Sequence, residues 1–337
     1  MKKWGILLFV FVAFLPCSLE AQETHLSQFY TNQQNLNPAL IGDHNGLYRV
    51  ASNYRNQWRQ IGKAPIVTSM ISFDHKFYLY SDEISAGLLV VNDQFSTFGL
   101  NTSKIYLTGS YSKNIAGHNL RAGLQFGAVL KSFNLEGQSF PNQWVYGVGE
   151  FDTNLDNMEN DLQASQNFID FNMGVAWSKS FAKFKAKVGL SVMHLNTPTD
   201  SYYQNEDASL GLTPIFHGEI LYRINSAYLI EPKFSYMRAS KAQNGLVGAN
   251  VYKEIKNDLV SKLQVGVLYR SGFGRNQDAI IPIAGLAFKK FDIGMSYDFN
   301  IGDLSKLSSN KGTYEISIVY TAPAFLPQKM AIPCDRY

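Results

Sequence analysis

"FDIGMSYDFN", residues 291–300, alternates without a break. Phe291, Ile293, Met295, Tyr297 and Phe299 are apolar or aromatic, while Asp292, Gly294, Ser296, Asp298 and Asn300 are small or polar. Successive side chains of a strand point to opposite faces, so this strand has one apolar face and one wet face. In a soluble sandwich the apolar face meets a second sheet. In a membrane barrel it meets lipid, and the wet face lines the lumen.

The pattern recurs along the chain. Tyr314, Ile316, Ile318 and Tyr320 share one face of "YEISIVY". In "LRAGLQFGAVL" the run from Leu120 to Leu130 puts Ala122, Leu124, Phe126 and Ala128 on one face and Arg121 and Gln125 on the other. Strands are expected near 47–58, 65–78, 84–93, 102–113, 119–131, 168–179, 184–194, 212–224, 227–239, 244–254, 259–270, 279–289, 291–300 and 312–320. Every second connection is short, and several of the others are long, above all 132–167 and 195–211. Bacterial barrels sort their loops in this way, with short periplasmic turns and long extracellular loops. The fold class expected is therefore all-β: a transmembrane antiparallel up-and-down barrel of about fourteen strands.

The beginning of the chain agrees. Lys2 and Lys3, the apolar run 6–15, and Leu19 and Ala21 before Gln22 read as a secretory signal peptide over 1–21. Pro16 argues against lipidation at Cys17, and cleavage after Ala21 leaves Cys334 without an internal disulfide partner. No later stretch is apolar enough for a membrane helix. A net charge of +3 is too small to argue for nucleic acid. The expected division is a signal peptide (1–21), a lead-in that is periplasmic or a plug (22–46), an outer-membrane barrel (47–320) and a periplasmic tail (321–337). With an even strand count, both termini are expected on the periplasmic side. Trp58, Tyr111, Trp177 and Tyr320 are candidates for interfacial aromatic girdles.

Catalytic signals are weak. The six histidines have no metal-ligand spacing, and nucleophile-elbow, P-loop and Cys-x-x-Cys motifs are missing. Neither a cofactor nor enzymatic activity is expected, although scattered Ser, His and Asp can converge in space, as in barrel-embedded lipases. The more informative stretch is "YRVASNYRNQWRQIGKAP". If Tyr48, Val50, Tyr54 and Trp58 face out, then Arg49, Asn53, Arg55, Gln57 and Arg59 form one lumen wall. Guanidinium groups bind carboxylates through paired hydrogen bonds. That wall either docks an acidic segment, from a partner or from the chain itself, or pairs with lumen carboxylates such as Asp74, Asp292, Asp298 and Glu315.

Several blocks resemble the PorP/SprF family of Bacteroidetes outer-membrane proteins. Ser27, Gln28 and Phe29 in "SQFY", and Asn37 and Pro38 in "LNPA", resemble that family's N-terminal motif. "YRNQW", "GKAP", "GLLVVNDQFSTFG", "YRSG", "IGMSYDFNIGDL" and "YEISIVY" follow in its order. Two departures are mild: Glu23-Thr24-His25 stands where an acidic-Pro pair is common, and Leu40-Ile41 replaces a more usual aromatic or Ala. The resemblance implies a non-enzymatic barrel of the type IX secretion system and its gliding-motility branch. Its role would be secretion or surface anchoring of a large adhesin-like protein, with that cargo, other secretion components and outer-membrane lipid as partners. The alternative is a passive pore or a barrel-embedded enzyme. The lead-in, rich in Gln, Asn and aromatics, separates the two, because a simple porin needs no such segment. Phe140, Trp144, Tyr146 and Phe151 in the longest loop are candidate cargo contacts, with Glu150, Asp152, Asp156, Glu159 and Asp161 to steer a basic partner. The competing reading folds that loop inward to close the pore.

Overall fold

A computed structural model describes residues 25–57, 65–79, 82–95, 99–134, 139–159, 162–203, 208–239, 242–272, 277–302 and 312–323. The signal-peptide stretch, Trp58, Arg59, Asp161 and Cys334 lie outside the described residues. The strands are β1 (Tyr48–Gln57), β2 (Ile66–Leu79), β3 (Asp82–Phe95), β4 (Leu100–Ile115), β5 (His118–Ser132), β6 (Trp144–Val145), β7 (Glu150–Phe151), β8 (Ser165–Ser180), β9 (Phe184–Met193), β10 (Thr213–Arg223), β11 (Tyr228–Ala239), β12 (Ala242–Glu254), β13 (Val260–Ser271), β14 (Gln277–Phe288), β15 (Phe291–Asn300) and β16 (Thr313–Thr321). Fourteen of them close into an antiparallel barrel, each beside its neighbour in sequence. The two-residue strands β6 and β7 form a separate ladder in the loop between β5 and β8. β1 against β16 closes the cylinder, with Arg55 opposite Glu315.

The opening stretch pairs on both sides. Met295 stands opposite Ala284 on β14 and Ile316 on β16. Phe291, Met295 and Phe299 are exposed on the outer face, whereas Ser296 and Asp298 are buried inside. The same inversion runs around the cylinder. Ile71, Leu107, Leu124, Phe126, Ile169, Val265 and Met295 are each at least half exposed. Arg55, Ser72, Asp74, Gln125, Asp170, Asn250 and Glu315 are buried. Water-soluble proteins do the reverse, and so much exposed apolar surface is stable only against lipid. Leu124→Arg on the middle of β5 should therefore cost about 2–4 kcal/mol. Urea titration of folding into lipid vesicles checks this, and an unchanged midpoint would mean that β5 does not face lipid.

Short connections share one rim. Ala116 and Gly117 join β4 to β5 with φ of 51° and 80°, the paired positive φ of a two-residue hairpin turn. Lys289–Lys290 joins β14 to β15 in the same number of residues. β1 starts and β16 ends at this rim, where Tyr111, Trp177 and Tyr320 also lie. Residues 133–164 and 194–212 emerge at the other rim. The expected strand edges lie within three residues of those observed.

Candidate functional site

The inner wall is polar, and what fills it is the chain's own start. The arginines of β1 do face inward. Arg55 lies 2.9 Å from Asp298 and 3.2 Å from Glu315. Arg270 on β13 joins the same cluster, 2.7 Å from Asp298. Arg49 lies 3.0 Å from Asp74 and donates to the side chain of Gln33 at 2.7 Å. Asn53 donates to Thr31 at 2.7 Å, and half-buried Gln57 brings its amide against Arg55. Of the carboxylates anticipated as partners, Asp292 differs. It lies exposed near the short-turn rim and pairs with Lys262 on β13 at 3.0 Å, while Arg49 is taken by Asp74.

Residues 25–46 run through the lumen as a plug. At its upper end, toward the long loops, Glu315 accepts the backbone N–H groups of Ser27 and Gln28 at 2.7 and 2.9 Å. The Ser27 hydroxyl donates to Asp298 at 2.7 Å and receives Arg55 and Arg270. Gln28 bonds Ser296 and Ser317. One turn of helix, α1 (Gln33–Leu36), follows, and Asn37 then caps a 3-10 turn at Pro38–Leu40 by accepting the Ala39 N–H at 2.9 Å. The Asn37 amide donates to the carbonyls of Val175 and Leu190 at 3.1 and 3.3 Å and lies 3.0 Å from His217. Ser27 thus binds the β15–β16 side and Asn37 the β8–β10 side, so the segment crosses the whole lumen. Phe29, Leu36, Ala39 and Leu40 cluster with Ile215, Leu246, Leu268, Ile281 and Ile283 on the wall. Leu26 packs in a second cluster with Met70, Leu89, Val91 and Val129.

Two wall glycines make the approach possible. A Cβ at Gly174 would stand 2.0 Å from Asn37 Oδ1, and one at Gly123 would stand 2.4 Å from the Pro38 carbonyl carbon. At the lower end Asp43 pairs with Lys187 at 2.5 Å and lies within 4 Å of Lys185 and Arg121. Burial alone would raise the Asp43 carboxyl, but Lys187, Lys185 and Arg121 hold it well below the usual carboxylate range. His44 lies 3.0 Å from Asp74, and burial keeps it below its ordinary pKa despite that neighbour.

The lead-in was expected to be periplasmic or a plug, and in the structure its residues 25–46 meet the inner wall of the barrel. One consequence was not visible in the sequence. β1 starts and β16 ends at the short-turn rim, but residue 25 lies in the half of the lumen nearer the long loops, and the segment runs from there down to the start of β1. The motif residues Ser27, Gln28, Phe29, Asn37 and Pro38 are all buried there. Sequence reasoning missed Asp43 and Lys187. The available signal was the Lys183, Lys185, Lys187 alternation facing a lead-in whose other acid is Glu23.

The long loops pair with each other. The Gln163 N–H donates to the Tyr202 carbonyl at 2.7 Å, Leu162 bridges Tyr203, and the Tyr203 hydroxyl donates to Glu159 at 3.1 Å. Trp144 meets Phe151 edge-on at 4.8 Å, while Phe140 is half-buried. Buried Gln143 ties the loop together by donating to the Leu155 carbonyl at 2.8 Å. Tyr146 is 92% exposed, and Val148 and Met158 also stand out in solvent. Those three side chains do not pack against the lumen.

Below the long loops a small well of about 60 Å³ opens between plug and wall. In it the Tyr106 hydroxyl donates to Asp170 at 2.7 Å, and His194 lies 2.8 Å from the other oxygen of the same carboxylate. Among the described residues no group of three or more His, Cys, Asp or Glu could hold a metal.

Comparison with known proteins decides the family. The profile described as type IX secretion system membrane protein PorP/SprF matches residues 18–320. The chain belongs to the PorP/SprF family. A search of curated proteins gives no match. Among solved structures the barrel is similar to the CymD monoaromatic hydrocarbon channel, at 9% identity and a TM-score of 0.52, covering 90% of this chain and 95% of that one. The Pseudomonas putida toluene transporter TodX gives 11% identity and a TM-score of 0.49 over 90% of this chain and 98% of that one. At such identities the likeness concerns the fold alone. PorP/SprF membership and the closed fourteen-strand barrel together make the chain an outer-membrane-type barrel of type IX secretion.

Proposed function

We propose that this PorP/SprF barrel is a non-enzymatic partner for one large secreted, adhesin-like protein, acting in its secretion or in its anchoring at the cell surface. In this reading the short-turn rim faces the periplasm and the long loops face outward, as in other bacterial barrels. One observation carries the proposal. The lumen is filled by residues 25–46, while the two long loops brace each other and hold Tyr146, Val148 and Met158 out to solvent. A solute pore needs the opposite arrangement. Exposed aromatic and aliphatic side chains beside Glu150, Asp152, Asp156 and Glu159 suit a protein surface with apolar anchors and basic surroundings. The β1 arginines are occupied by the plug and wall carboxylates, which favours a bracing role over direct cargo docking.

Deletion of residues 141–163 tests it. The expected outcome is loss of the cargo from the surface, read by protease shaving and mass spectrometry, with no rise in small-solute uptake. Cargo still attached, with uptake increased, would reject cargo contact in favour of a closure role for the loop.

A further inference from the structure

A depression of about 920 Å³ lies at the short-turn rim, where the chain leaves the plug for β1 and where β16 ends. Lys256, Lys262, Lys289 and Lys290 line it, together with two carboxylates, Glu254 and Asp292. Both carboxylates are already engaged: Arg223 binds Glu254 at 2.8 Å, and Lys262 binds Asp292 at 3.0 Å. Lys256, Lys289 and Lys290 are exposed and have no carboxylate partner among the described residues. Like charges held together without counter-charge raise the local potential and favour an anionic occupant.

We propose that this depression docks a carboxylate-rich, extended segment of a protein on the periplasmic side, so that the barrel is tied to an acidic partner below the membrane. The placement below the membrane rests on the sidedness adopted above. Two features favour a protein segment over lipid. Asn45, Gly46, Ala322 and Pro323 line the depression, so it opens at the mouth of the lumen. The bilayer side of the same rim carries aromatic rings, with Tyr320 5.9 Å from Tyr48 and 5.1 Å from Phe291, which borders the depression. At the other rim the loop over 139–159 carries Glu150, Asp152, Asp156 and Glu159 and no lysine or arginine, so an acidic segment is repelled from that loop.

The test uses the full barrel in lipid nanodiscs and a fluorescein-labelled twelve-residue peptide of alternating Glu and Ala, followed by anisotropy. Binding is expected for the native protein, weakening as NaCl is raised. The triple variant Lys256→Glu, Lys289→Glu, Lys290→Glu should bind at least about tenfold more weakly. Heat-dependent gel mobility establishes that the variant is folded. Equal binding by the two proteins, or equal binding of a Lys–Ala peptide, overturns the proposal. So does a variant that keeps peptide binding but loses association with phosphatidylglycerol vesicles, since lipid is then the occupant. Sidedness is read separately with Lys290→Cys in a Cys334→Ser background, so that position 290 carries the thiol that is labelled. Labelling by an impermeant maleimide only after outer-membrane permeabilisation supports a periplasmic partner. Labelling in intact cells rejects the periplasmic placement, and it does so whatever the peptide result.

Discussion

Deleting residues 27–44 is expected to turn a closed barrel into an ion-conducting pore, with conductance in planar bilayers rising at least about tenfold over the native protein. The reason is geometric. The segment spans from the β15–β16 wall to the β8–β10 wall, and its apolar side chains seal against Ile215, Leu246, Leu268 and Ile281. Removing it exposes a lumen lined by Arg49, Arg55, Arg121, Lys187 and Arg270 alongside Asp74, Glu219, Asp298 and Glu315. Fourteen strands enclose more cross-section than their own inward side chains fill. If the native protein already conducts as well as the deletion, the plug does not close the barrel.

A point variant guards against failed assembly. Asp43→Lys sets a fourth cation among Lys187, Lys185 and Arg121 and should release the lower end of the plug while leaving the upper cluster in place. Intermediate conductance is expected. The native protein should show the same release in acid. The folded-state pKa of Asp43 lies below the unfolded value, so its anchoring is fully present above about pH 4 and is lost as pH falls through the folded pKa. Conductance that rises in strong acid in the native protein but not in Asp43→Asn assigns the effect to this carboxylate.

The fold was legible because its signal is local. Alternation is read within ten residues, as in β15, and each strand pairs with the next in sequence. The lumen wall was legible for the same reason: once Tyr54 faces lipid, Arg55 cannot. A plug was one of two expectations for the lead-in, but its contacts were not legible, because they are remote in sequence. Ser27 meets Asp298 across 271 positions, and Asn37 meets His217 across 180. Nothing in a run of Gln and Asn says which wall it will satisfy. The loop pairing escaped for a related reason. Residues 162–163 and 202–203 join through backbone groups, which leave no mark in side-chain pattern.

Arg55→Met is expected to be the most damaging single substitution on the wall, costing about 3–5 kcal/mol of stability, the usual loss when one partner of a buried ion pair is removed. Arg55 sits at the seam that closes the barrel, with Glu315 directly across from it on β16. Two guanidinium groups, Arg55 and Arg270, meet two carboxyl groups, Asp298 and Glu315, and Ser27 of the plug binds into the middle. Methionine leaves Asp298 with Arg270 and takes from Glu315 the guanidinium it meets, in a place closed to water. Lysine restores a charge but not the fork that reaches Asp298 and Glu315 together, so Arg55→Lys should recover only part of the loss. Pairing Arg55→Met with Glu315→Gln supplies the decisive measurement. Glutamine removes the surplus carboxylate while its amide oxygen still accepts one plug N–H. The double variant should therefore be more stable than the sum of the single losses by more than about 1 kcal/mol, as coupled residues in one network are. Urea-induced unfolding from vesicles, with heat-dependent gel mobility as the folding assay, gives all three values. Losses that simply add would mean that Arg55 and Glu315 act independently and that the seam does not depend on their pairing.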